Sequence, residues 1–208
     1  MKKNHPVYLL RGTPSALLVI GAGFVMASSA DVRAALGMGA AVLLSMLLSS
    51  IVVSAIHKFI PNYAKIPSYL LIITGFVSII SMFMQAFFPV VVDMLGVHLA
   101  ALSVSAVIYR DAEEVADHSN EATSIKTAVV TGVFFTIVMV ACAVIREVLG
   151  KATFFGQPIA FLEDYKISAL AGAFGAYLVL AIVLAIINKL TGLHKEEIVD
   201  DTLIKEDK

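Results

Sequence analysis

The sequence predicts an all-α membrane protein: six transmembrane helices in an inverted 3+3 repeat, with the first and fourth helices short or broken. Three observations lead there. The 208-residue chain is 59% hydrophobic and only 15% charged, with a mean hydropathy of +0.91. Soluble domains sit near 45–50% apolar and about 25% charged. The apolar residues gather into six runs separated by polar stretches. Two pairs of similar segments lie 89 and 90 residues apart. The net charge of −1 is spread along the chain, and no basic patch suggests nucleic acid.

The first run is Val7–Ala30, interrupted at "RGTPS". Lys2 and Lys3 before an apolar stretch imitate a secretory leader. Arg11 and Pro14 break that pattern, so the run reads as a first membrane segment and not a cleaved leader. Its unbroken part, Ala16–Ala30, is short. The second run is Ala34–Ile56. The third is Ile66–Val92, with Pro89 near its end. The fourth, Met94–Tyr109, has only 16 uncharged residues. A straight helix needs about 20 to cross a bilayer core. The fifth run is Ile125–Ile145 and the sixth Ile167–Ile187. The second, third, fifth and sixth are long enough to span as helices. Residues 1–190 therefore read as one six-helix membrane domain, with repeat halves about 8–92 and 94–190, and residues 191–208 as a polar cytoplasmic tail.

Lysine and arginine set the orientation. With a cytoplasmic N-terminus, eleven of them fall inside and four outside. Seven of the eleven lie on the termini, and the loops alone divide four against four. The bias places both termini in the cytoplasm of a bacterial or archaeal cell, with the chain in its cytoplasmic (inner) membrane.

The repeat rests on two matches. "AIHKFIP" (55–61) precedes "VIREVLG" (144–150) by 89 residues, and each ends a long helix with two polar residues, two apolar ones and a helix breaker. "PSALLVI" (14–20) precedes "VSAVIY" (104–109) by 90. A three-helix unit used twice must enter the membrane upside down the second time. The short first and fourth segments then occupy equivalent positions, and paired interrupted segments point to a site between the halves near the midplane. Gly12, Thr13 and Pro14 break the first. Arg110, Asp111, Glu113 and Glu114 cut off the fourth.

Single residues are read against plainer alternatives. The charge cluster from Arg110 is a solvated loop, or else a gate or docking surface. Asp93 and His98 open the fourth segment near the outer interface and are candidates for an ion path. Arg146 and Glu147 read as pairing with other chains or headgroups, and so do His57 and Lys58, their repeat counterparts. Gly37, Gly39, Gly172 and Gly175 read as helix packing. Gln85 reads as a hydrogen-bonding partner for a neighbouring helix. Cys142, the single cysteine, has no partner for a disulfide and reads as packing. No phosphate-binding loop, nucleophile elbow, metal-ligand spacing or paired catalytic carboxylates are evident, so no catalytic residue and no metal site is expected.

Four stretches resemble a known family: "GTPSALLVI", "IPSYLLIITGFVSIISMFMQAFFP", "SVSAVIYRDAEEVA" and "VIREVLGKATFFG". Together they look like the six-helix subunits of the Rnf and Na⁺-translocating NADH:quinone reductase complexes. The likeness covers about residues 8–190. "IREVLGKATFFG" (145–156) and the expected cytoplasmic N-terminus place the chain nearer the RnfE/NqrD branch than the RnfA/NqrE branch. The resemblance implies an inverted three-plus-three fold and pairing with an RnfA/NqrE-type membrane subunit inside an electron transport complex, in the lipid bilayer. It also implies a shared 2Fe–2S cluster, with two cysteines from each of the two subunits.

The chain departs from that pattern at the ligand positions. The first family cysteine falls on Thr13, or on Pro14 if the register slips by one, and the second falls on Ser105. Clusters of this kind need thiolates, so no cofactor is expected from this chain alone. Arg110 and Glu113 match the arginine and the acidic residue that follow the family's second cysteine. The expected function is a non-catalytic membrane-core subunit of an ion-translocating electron transport complex, of the ferredoxin:NAD or NADH:quinone oxidoreductase type, forming part of its electron or cation path. The alternative is a small non-redox carrier or channel with the same fold.

Overall fold

The computed structural model describes residues 21–112, 121–158 and 168–191. Thr13, Pro14, Glu113 and the tail beyond Thr191 lie outside the described residues. In chain order the helices are α1 (Ala22–Ser28), α2 (Val32–Ile56), α3 (Lys65–Phe87), α4 (Pro89–Leu95), α5 (Val97–Ala101), α6 (Ala106–Asp111), α7 (Glu121–Arg146), α8 (Ser168–Ala171) and α9 (Ala173–Thr191). Short 3₁₀ turns cover His57–Phe59, Asn62–Ala64 and Leu102–Val104. A π-helical turn, Glu147–Lys151, extends α7.

By length and composition, three described helices can cross a membrane: α2, α3 and the α7 stretch Ala128–Lys151. A fourth span arises if the bent pair Pro89–Leu95 and Val97–Asp111 counts as one crossing. The last helix falls short of the expectation. Gly172 separates α8 from α9, which leaves Ala173–Ile187 as an apolar stretch shorter than a span.

Helices α2 and α7 form the centre and run antiparallel. A Cβ on Gly39 would collide with the Thr136 side chain, and one on Gly132 would lie 3.2 Å from Leu43 Cα. Positions rising along α2 thus meet positions falling along α7. Glycines at such crossings let helix backbones approach closely. Packing at Gly39 is therefore borne out, and Gly132 is a further such position. Helix α3 buries Tyr69, Ile73, Val77, Ile80 and Met84, which share one helical face. Its other face leaves Leu71, Ile79, Met82 and Phe83 exposed. A helix apolar all round with one buried face suits a bilayer, because lipid tails satisfy the other face without cost.

The third expected segment ends early. Pro89 disfavours helical backbone at the residue before it, and Phe88 sits at φ −133°, ψ 55°. Pro89 then opens α4 at its first turn, where its missing N–H is no loss. Gly96, at φ 53°, turns the chain again, and the two limbs meet at 77°. Only glycine adopts that left-handed backbone at little cost.

One element departs from an all-α reading. Thr153–Phe154 and Gln157–Pro158 form a two-stranded antiparallel hairpin. Phe155 (φ 54°) and Gly156 (φ 75°) make its turn. Two successive positive φ values are what a tight hairpin turn requires.

Candidate functional site at the broken helices

The fourth segment is broken as expected, and at two places. Below Gly96, α5 tightens into the 3₁₀ turn Leu102–Val104 and stops at Ser105. Ser105 has extended backbone (φ −68°, ψ 119°) and is 3% exposed. Its N–H donates to the Leu102 carbonyl at 3.0 Å, and its own carbonyl accepts from Tyr109 N–H at 3.1 Å. A position where the family resemblance puts a cysteine thus coincides with a true helix break, at the N-cap of α6.

Helix α6 carries the charged residues inward. Asp111 is 5% exposed, and Ser50 Oγ donates to its Oδ2 at 2.9 Å. Arg110 is half-buried. A wholly solvated loop is thereby corrected at these two positions. The chain turns Asp111 onto α2, where a hydroxyl repays part of its lost hydration. Ser50 lies six residues before the end of α2, about 9 Å inward at 1.5 Å per residue. A carboxylate at such depth marks a functional candidate.

The sequence reading missed Ser50. Its signal was the serine series in "SMLLSSIVVS", in which Ser45, Ser49, Ser50 and Ser54 are all buried. Ser45 and Ser49 hydroxyls donate back to the carbonyls of Ala41 and Ser45 within α2. Ser50 reaches across to Asp111 instead. Ser54 Oγ, one turn further on, is buried with no partner among the described residues. His57 Nδ1 donates to the Ser54 carbonyl at 2.7 Å.

Asp93 and His98 stand apart from this pair, on α4 and α5 on the other limbs of the bend. Both are exposed, and His98 Nδ1 donates to the Leu95 carbonyl at 3.2 Å. They flank Gly96 and are not gathered with Ser105, Arg110 or Asp111. Gln85 is exposed as well.

A second polar centre closes the opposite end of α7. Arg146 is 4% exposed and Glu147 fully buried. The expectation that they face other chains or headgroups is corrected, because their partners lie within this chain. The Arg146 guanidinium donates to the carbonyls of Leu170 (3.2 Å), Met26 (3.4 Å), Ala171 (2.9 Å) and Gly172 (3.1 Å), and to Ser29 Oγ. The carbonyls of Met26, Leu170 and Ala171 lie in the last turns of α1 and α8, where helices leave carbonyls unpaired, and that of Gly172 also accepts from Ala176 N–H at 3.3 Å. Glu147 supplies the opposite need. Its Oε2 accepts from Val32 N–H at 2.7 Å, and its Oε1 accepts from Gly156 N–H at 2.8 Å and from Thr153 Oγ1 at 3.4 Å. Val32 opens α2, so the carboxylate also meets the positive end of that helix. Lys151 and Asp31 make an exposed ion pair alongside, at 3.1 Å. Arg146 and Glu147 hold four chain segments together and leave little freedom for proton transfer.

The remaining small residues behave as packing. A Cβ on Gly37 would strike Val91, and one on Gly175 would strike the Leu170 backbone. Gly172 has nothing closer than 3.7 Å and instead marks the α8–α9 break. Cys142 is fully buried in the apolar core of α7. Among the described residues, no three His, Cys, Asp or Glu side chains gather as metal ligands.

Similarity to known proteins extends over most of the chain. Residues 8–187 match the family described as Rnf-Nqr subunit, membrane protein. The chain is 30% identical over 186 residues to the E subunit of the Na(+)-translocating ferredoxin:NAD(+) oxidoreductase complex of Acetobacterium woodii, covering 89% of this chain and 95% of that protein. It is 30% identical over 184 residues to the E subunit of the ion-translocating oxidoreductase complex of Methanosarcina acetivorans, covering 86% of each. The protein of the same name from Shewanella frigidimarina is 30% identical over 157 residues, covering 76% of this chain and 68% of that protein. Matching of this extent, with these three relatives E subunits by name, bears out the expected kinship: the chain belongs to the Rnf-Nqr family of membrane subunits.

Proposed function

We propose that this chain is the RnfE-type membrane core of an ion-translocating oxidoreductase complex, paired with a homologous RnfA/NqrE-type subunit. The observation that carries this reading is the match over residues 8–187, with a relative of that type aligned along 95% of its own length. In this role the chain serves as scaffold and path.

The inverted repeat has independent support in the helix positions. Helices α2 and α7 begin 89 residues apart and end 90 apart. They pack antiparallel, as equivalent helices must when a two-fold axis in the membrane plane relates two halves. Leu43 and Gly132, 89 residues apart, touch each other where the two helices cross. A residue that meets its own repeat equivalent lies on such an axis. The hairpin-bearing loop before α8 accounts for the wider spacing of the third and sixth segments.

The cluster chemistry does not carry over to this chain. An iron–sulfur centre needs thiolates. Cys142 is the chain's single cysteine, and it is packed among apolar side chains on α7. Ser105 offers a neutral hydroxyl, and Thr13 and Pro14 offer no sulfur. We infer that this subunit contributes no ligand to a shared 2Fe–2S cluster. That absence favours a second reading, a non-redox carrier or channel built on the same fold.

Purification of the tagged chain from its native membrane in mild detergent separates the two readings. Complex membership predicts co-purification of a homologous six-helix subunit and of cofactor-bearing subunits in fixed ratio. A chain that purifies alone, and that moves an ion or solute in vesicles without any redox partner, overturns the proposal.

A further inference from the structure

We propose that the groove between α2 and α3 binds one acyl chain of an anionic phospholipid, with Arg33 holding the headgroup phosphate. The groove has a volume of about 520 Å³, within the range of about 300–1,000 Å³ typical of small-molecule sites. Its walls include Ala40, Leu44, Ile79 and Phe83, with Arg33 and Phe155 at one end. Arg33 is the one charged residue that lines it.

Depth identifies the occupant. Arg33 lies at the start of α2, where that span meets the interface. Leu44, on the far wall, is eleven residues further along, about 16 Å at 1.5 Å per residue. Half of a bilayer core is about 15 Å. The groove is therefore one leaflet deep, with its cation at headgroup level and its apolar walls at acyl-chain level. A docked transmembrane helix would need walls along the full span.

Charge identifies the headgroup. Asp31, two residues before Arg33, is already paired with Lys151. Glu147 is buried and turned onto backbone N–H groups. Arg33 is exposed and makes no ion pair among the described residues. Its guanidinium carbon lies 3.7 Å from the place a Cβ would take on Gly156, so the hairpin turn steadies it at the mouth. Guanidinium binds phosphate through paired N–H donors, a geometry lysine does not offer.

The test uses the intact protein, purified with whatever subunits accompany it, in nanodiscs of phosphatidylcholine with added phosphatidylglycerol. Native mass spectrometry reads the lipid retained after release from the disc. Wild type is expected to keep phosphatidylglycerol in preference to phosphatidylcholine. Arg33→Gln should lower that preference about tenfold, the loss of one charge-assisted contact. Ala40→Phe fills the groove and should reduce retention of both lipids. Both positions are exposed, so folding should survive. Equal retention by wild type and both variants overturns the proposal. So does a photoreactive residue at Leu44 that cross-links to a protein subunit and not to lipid.

Discussion

Replacing Glu147 with alanine strips two backbone N–H groups of their acceptor, those of Val32 and Gly156. The Val32 N–H lies in a buried bond and has no access to water, whereas Gly156 sits in an exposed turn where water can replace the lost acceptor. An orphaned buried donor costs about 1–3 kcal/mol. Loss of the negative charge at the start of α2 adds about 0.3–1 kcal/mol. With one donor left buried, the expected total is about 1–4 kcal/mol. For a chain of this length, where 1 kcal/mol shifts melting by about 2–4 °C, that predicts a fall on the order of 10 °C. Glu147→Gln keeps one acceptor oxygen and should lose about half as much. Thermal unfolding of the detergent-purified protein, followed by intrinsic fluorescence or size-exclusion recovery, gives the comparison. If alanine and glutamine variants melt together with wild type, Glu147 does not hold the α2 terminus and the argument fails.

Gly39→Val should weaken the α2–α7 crossing, because its Cβ would collide with Thr136, while Gly23→Ala, where a Cβ meets nothing within 4 Å, should be neutral; expression yield and melting temperature of the pair check this. Ser50→Ala removes the hydroxyl that donates to Asp111 Oδ2 and should cost about 1.5–3 kcal/mol, read as a lower melting point that Ser50→Thr largely restores. Iron and acid-labile sulfide, measured on this subunit separated from its partners, should both be absent; stoichiometric iron with a reduced 2Fe–2S resonance would refute the ligand assignment.

Long apolar runs were legible because the bilayer demands them. The expected Ala34–Ile56 and Ile125–Ile145 lie within α2 and α7, which reach further at their ends to Val32 and Glu121. The break in the fourth segment was also legible, from its length alone. The third helix ends five residues before the expected Val92, because apolarity continues through Pro89 and the helical backbone cannot. The hairpin at "TFFGQP" was invisible, since its turn uses Phe155 and Gly156 and not the usual Asn-Gly. The burial of Arg146 and Glu147 could not be read from a single sequence. A charged pair at the end of an apolar run looks like an interfacial anchor. Only the folded chain brings Met26, Val32, Gly156 and Leu170 around it.

The two polar centres divide the labour of this fold. At the end of α7, every partner of Arg146 and Glu147 among the described residues is a backbone group or a hydroxyl, so the centre fixes helix ends. At the opposite end, along α2, Asp111 faces a hydroxyl series whose last member, Ser54, has no partner among the described residues. A network closed onto backbone groups resists change, whereas a buried carboxylate held by a side-chain hydroxyl can exchange that partner. The bond between Ser50 and Asp111 adds a buried carboxylate to the ionisable candidates, beside the exposed Asp93 and His98.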